Sequence, residues 1–193
     1  MALLSAASPR PRRNAAGLIA ALLILIPWPT PGWSVEIPQT SIEYAVKASY
    51  LYKFAPFIEW PPQAFPSASS PLNICVAGED PFGPILDDLT RNQQLDTHPI
   101  VIKRMSKVED GLDCQILFIG HSTTQSPAEM LRVVSHQPVL TVMDQGHGAE
   151  GGIIQFVLRD GRVRFDIDAA AAATSGVTIS SKLLDLALSQ RRR

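Results

Sequence analysis

Cys75 and Cys114 are the two cysteines of a 193-residue chain. In an exported protein an even, small cysteine count points to a disulfide, because the thiols meet an oxidising compartment. A bridge across so long a loop contributes about 3 to 4 kcal/mol by the chain-entropy account. The pair is not spaced as C-x-x-C, and no neighbour lowers either thiol pKa in an obvious way, so a bridge is expected, with a redox switch as its weaker alternative role. The four histidines, His98, His121, His136 and His147, fit no metal-ligand spacing, and no metal or other cofactor is assigned. His121-Ser122, with Asp144 further on, has the residue types of a hydrolase. The G-x-S-x-G elbow is missing, so no catalytic residue is assigned and the chain is read as a non-enzyme.

Binding is the better-founded chemistry. Gly78-Glu79-Asp80 and Gly120-His121-Ser122 each follow a short apolar run. In an open α/β sheet such turns lie at the carboxyl ends of the strands, where ligands sit. Their backbone N–H groups make Gly78, Glu79, Asp80, Gly120, His121 and Ser122 candidates for holding a small anion. No lysine follows at P-loop spacing. Arg162 and Arg164 alternate with Val163 and Phe165, which places both arginines on one strand face as a candidate partner surface.

These residues need elements to position them. Leu72–Ala77, Ile100–Met105, Gln115–Gly120 and Val139–Met143 are short apolar runs bounded by turn residues and read as strands. Asp80 with Pro81 starts a helix through Arg91 in this reading. Ser126-Pro127-Ala128-Glu129 is a capping box that opens a second, to about Ser135. Alternation of this kind implies a mostly parallel sheet with helices on both faces. Towards the C-terminus, Ile153–Arg159 and Arg162–Ile167 flank Asp160-Gly161, a strong hairpin signal. A helix from about Ala169 to Ser175 follows, closed by Gly176, and a last helix is capped by Ser180 or Ser181. The expectation is a single α/β domain with a C-terminal β-hairpin.

The first 34 residues read as a cleaved export signal. Arg10, Arg12 and Arg13 precede the apolar run Ala15–Ile26, which is too short to span a bilayer comfortably. The expected domains are a signal peptide at 1–34 and an exported α/β domain at 35–193. The mature part retains 14 Lys and Arg against 18 Asp and Glu, a mildly acidic balance that argues against nucleic-acid binding. It holds no second apolar run long enough for a membrane span.

Glu43–Pro61, EYAVKASYLYKFAPFIEWP, concentrates six aromatic residues: Tyr44, Tyr50, Tyr52, Phe54, Phe57 and Trp60. Thr40 with Glu43 forms a capping-box pattern, and Pro56 ends the helix near Ala55. On a helical projection Ile42, Val46, Tyr50 and Phe54 share a side. Tyr44 and Leu51 lie opposite, and Glu43 with Lys47 forms the single polar stripe. A helix apolar nearly all round should be covered nearly all round, as the most buried helix of the core or by a partner.

This stretch and the tail Gly151–Leu184, GGIIQFVLRDGRVRFDIDAAAAATSGVTISSKLL, resemble the YfiR family over Glu43 to Ala187. The type members are periplasmic repressors of a membrane-bound diguanylate cyclase. The resemblance implies a protein that docks on the periplasmic part of an inner-membrane diguanylate cyclase, lowers cyclic di-GMP signalling and so restrains biofilm formation. A homodimer is a reasonable expectation. If the resemblance is functional, the aromatic stretch and the hairpin region are the partner surface, with Tyr50, Phe57, Trp60, Arg162 and Arg164 as candidates. Redox behaviour that depends on a second cysteine pair, present in some members, does not carry over. The alternative is a small-ligand-binding module that serves another membrane sensor.

Overall fold

In the computed structural model the described residues are 39–145 and 151–191, all within one compact unit, Glu36–Arg193. The signal expected at 1–34, and His147, lie outside them. Helix α1 runs from Gln39 to Phe54 and gives way to a 3-10 turn, Ala55–Phe57, that contains Pro56. Proline cannot donate its missing N–H to the helix ladder, so the stop falls where expected. Then follow β1 (Ile58–Glu59), β2 (Leu72–Ala77), α2 (Pro84–Thr90), β3 (Gln94–Leu95), β4 (His98–Met105) and β5 (Ile116–Ile119). The chain continues through α3 (Pro127–Val133), β6 (Leu140–Asp144), β7 (Ile154–Arg159), β8 (Arg162–Asp168), α4 (Ala169–Thr174), β9 (Thr178–Ile179), α5 (Ser181–Leu186) and β10 (Gln190–Arg191).

The main sheet has the order β10-β8-β7-β6-β5-β2-β4-β3. Its centre, β4, β2, β5, β6 and β7, is parallel throughout. β8 returns antiparallel to β7 across Asp160 and Gly161, both with positive φ, the backbone a tight hairpin turn needs. β1 and β9 form a separate antiparallel pair. The fold is thus a single α/β domain with a mostly parallel sheet and a C-terminal hairpin, as expected.

Every residue of β2 is buried, so its two faces feed two cores. Leu72, Ile74 and Val76 pack with Ala48, Leu51 and Phe54 of α1 and Leu86 of α2. Cys75 and Ala77 pack with Met130 of α3 and with Val134. Burying a side chain such as Leu51 is worth about 1.5 to 3 kcal/mol. Helices therefore cover both faces.

Two local expectations are corrected. α2 starts at Pro84, not Pro81. Asp80 Oδ1 instead accepts the N–H groups of Phe82 and Gly83, an Asx-type turn that holds the chain out of helix for three more residues. In α1 the helix already includes Gln39 and Thr40, and Glu43 turns its carboxylate to Lys47 rather than back to Thr40.

A further finding concerns how far α1 is covered. The inward face is Lys47, Ala48, Leu51, Phe54 and Ala55, all buried, a spacing of i, i+1, i+4, i+7, i+8. Ile42 and Val46, read as part of the apolar side, are 47% and 39% exposed. The helix is not covered all round by the described residues. Its polar stripe goes in, and part of its apolar stripe stays out.

Candidate functional site

The strand-end turns come together as the topology requires. β4 lies on one side of β2 and β5 on the other, so the crevice between the carboxyl ends of β2 and β5 is a switch point. The two turns close that crevice on themselves. Glu79 N–H donates to His121 O at 2.7 Å, Gly120 N–H to Ala77 O at 2.9 Å and Gly78 N–H to Met105 O at 3.0 Å. A Cβ on Gly120 would stand 2.3 Å from Glu79 O, and one on Gly78 2.5 Å from His121 O. Glycine is needed at both positions because backbone packs on backbone. The N–H groups of Gly78, Glu79 and Gly120 are thus already engaged. Asp80 is held by Arg104, whose Nε lies 2.6 Å from Oδ2 and whose other nitrogens reach Asp87 and Gly83 O. The hydrogen bond from Arg104 holds the Asp87 carboxyl below its usual range, and the same bonds raise the guanidinium. His121 stays exposed, 3.8 Å from Glu79. Ser122 Oγ accepts from the N–H groups of Thr124 and Gln125. What remains is a shallow depression of about 390 Å³ lined by Glu79, Asp80, Pro81, Phe118, Gly120 and His121.

The cysteines are joined. Cys75, in the middle of β2, and Cys114, just before β5, form a disulfide with Cα atoms 6.0 Å apart. Both are buried on the α3 side of the sheet. The bridge ties together the same two strands whose far ends interlock. His98 stacks on Phe65 at 4.1 Å, and its Nδ1 is 2.6 Å from Ser70 O. Among the described residues no cluster suited to a metal ion forms.

Of the candidate partner residues, Tyr50, Arg162 and Arg164 are brought together. Tyr50 packs edge-on to Phe165 and stacks on Phe54, which sets α1 against the hairpin. Its neighbours Ile42 and Val46 then flank β8. A groove of about 320 Å³ lies between them, lined by Ile42, Val46, Tyr50, Leu158, Arg162 and Arg164 among others. Ile42, Val46 and Tyr50 also line a second groove of about 650 Å³ on the other flank of α1, which includes Ala45, Ser49, Lys53 and Ile85. Phe57 and Trp60 lie elsewhere. Phe57 precedes β1, where its carbonyl accepts from Ser180 N–H, and Trp60 packs edge-on to Phe65. Both are partly buried against the main core.

Sequence reasoning missed a buried polar cluster beneath this surface. Lys47, 1% exposed, sits against Asp144, 2% exposed, with Nζ 2.6 Å from Oδ2. It also bonds Glu43, and Tyr44 donates its hydroxyl to Asp144 at 3.3 Å. Burial, then the Asp144 charge, push the Tyr44 hydroxyl well above its usual pKa. A buried lysine is stable only when paired in this way. The signal was present in principle: a lysine in the middle of an aromatic helix and a lone aspartate ending an apolar strand. They lie 97 positions apart, and nothing in either segment names the other.

The model of the YfiR/HmsC-like family matches residues 44–188. The chain belongs to the YfiR/HmsC-like family. The matched span runs from Tyr44 beside the buried ion pair, through the groove residues that follow it, to Leu188, whose N–H bonds Phe165 O of β8. No curated protein matches the chain. No helix of the described residues is long and apolar enough to cross a membrane.

Proposed function

We propose that this chain is a periplasmic, non-enzymatic regulator that binds the periplasmic part of an inner-membrane diguanylate cyclase and lowers cyclic di-GMP signalling. Residues 1–34 are its removable export signal, and 35–193 the working domain. Family membership supports the kind of activity. The disulfide suits an oxidising compartment. The observation that carries a binding role is the outward apolar side of α1, with Ile42 and Val46 exposed beside Leu158 of the hairpin. An exposed apolar patch rimmed by polar residues marks a protein interaction site. Repression by such a surface is a population shift: the regulator must bind the inactive cyclase more tightly than the active one.

The test is cellular cyclic di-GMP after deletion of the gene and complementation with the mature domain routed to the periplasm. The level is expected to rise on deletion and return on complementation. An unchanged level would remove the regulatory reading and leave the small-ligand module, for which the depression beside His121 is the place to look.

A further inference from the structure

The groove along α1 has a chemistry of its own, and this inference rests on the docking role proposed above. Its apolar wall is Ile42, Val46, Tyr50 and Ile85, with Leu158 across the hairpin. Its small residues, Ala45 and Ser49, lie between the larger ones along the helix and leave room for another backbone. Three of the four charged side chains that line the two grooves are cations. Lys53 lines one groove and Arg162 and Arg164 the other. Glu43, the carboxylate among the lining residues, is already bonded to Lys47. Among the described residues none of the three cations has a carboxylate within ion-pair distance. Lys53 rests over the Tyr52 ring, and Arg164 donates to Val163 O. A cationic rim in a chain of net charge −1 is a local inversion of the whole molecule's balance.

We propose that the outer face of α1, the ridge Ile42, Val46 and Tyr50 with a groove on each flank, receives an amphipathic helix of the partner whose apolar face fits that ridge and whose flanks carry carboxylates. α1 is 16 residues long, about 24 Å, so four or five turns of a partner helix can lie along it. A helix laid in an apolar groove is read through anchors at i, i+3, i+4 and i+7, and rim charges set its identity. A second copy of this chain is the poorer occupant. Two-fold packing would set the Lys53, Arg162 and Arg164 rim of one protomer close to the same cations of the other.

The experiment uses the mature chain and two synthetic helical peptides with one shared leucine-rich apolar face. One carries glutamates on its flanks and the other lysines, and binding is followed by fluorescence anisotropy. The glutamate peptide is expected to bind at least about tenfold more tightly at low salt, with the margin shrinking as salt is added. The R162E/R164E variant should reverse the preference, and V46D should abolish binding of both peptides while leaving the circular dichroism spectrum intact. Equal binding, preference for the lysine peptide, binding of neither, or a dimer that V46D dissociates would each overturn the proposal. A glutamate preference without any cyclic di-GMP response to deletion would retain the groove and remove the regulatory reading. A cyclic di-GMP response without that preference would do the reverse.

Discussion

Two regions of this molecule were candidates for binding, and they solve opposite problems. At the carboxyl ends of β2 and β5, turn packs on turn so closely that Gly78 and Gly120 admit no side chain. The N–H groups of Gly78, Glu79 and Gly120, three of the six candidates for holding an anion, are used internally. Along α1 the inner side is filled and pinned by a buried ion pair, while Ile42 and Val46 on the outer side stay exposed. The strand ends that hold ligands in many α/β folds are here part of the scaffold. The surface left with unmet binding capacity is a helix face.

That contrast can be broken in several places. The largest effect belongs to the bridge that ties β2 to the start of β5. Replacing Cys75 and Cys114 with serine should cost about 4 kcal/mol for a loop of 39 positions, read as a lower urea midpoint. A loss below about 1 kcal/mol would mean the two strands are held by their interlocked ends alone. Next is the inner face of α1. Lys47→Ala leaves the buried Asp144 carboxylate without its cation and should cost about 3 kcal/mol, whereas Val46→Ala, one residue away, should stay within about 0.5 kcal/mol. Equal costs for the two would erase the distinction between the faces. Gly120→Ala then probes the closed turns. The new Cβ must push Glu79 O aside, at about 2 kcal/mol, with loss of protection of the Glu79 amide in hydrogen exchange.

The smallest effect is a pH dependence. Tyr44 is an acid whose pKa is raised in the folded state by burial and by Asp144. The folded chain therefore keeps that proton while the unfolded chain loses it near the ordinary value of 10.0. Its contribution is fully present below pH 10.0 and is lost as pH rises above it. Tyr44→Phe should show a shallower fall in stability than the wild type in that alkaline window and the same slope near neutrality. Parallel curves throughout would place the Tyr44 hydroxyl in solvent.

Most of the framework was legible because its signals are local. Four apolar runs with turn residues at their ends correspond to four of the five central parallel strands, Asp160-Gly161 to the hairpin turn, and the Ser126–Glu129 capping box is present as read. The helix-ending role of Pro56 also holds. The two-residue strands β1, β3, β9 and β10 were not legible, since nothing distinguishes so short a pairing from loop. Which side of α1 faces the core was not legible, for a different reason. Both its sides carry apolar residues, so periodicity could not choose between them. The inner side is the one on which Leu51 and Phe54 meet the main core and Lys47 meets Asp144, contacts across the fold that no local pattern encodes. That packing leaves Ile42 and Val46 exposed, where they line the candidate site. Tyr50, Arg162 and Arg164 were gathered there from two separate guesses, while Phe57 and Trp60 went to the core and the β1 region.

The central claim is that the outer face of α1 is for docking and not for folding. The most direct measurement is cyclic di-GMP in deletion cells complemented with the Val46→Asp variant, beside the thermal midpoint of the purified variant. A level that stays as high as in the deletion, with the midpoint within a few degrees of wild type, is the predicted result. Full repression by a stably folded Val46→Asp protein would contradict it.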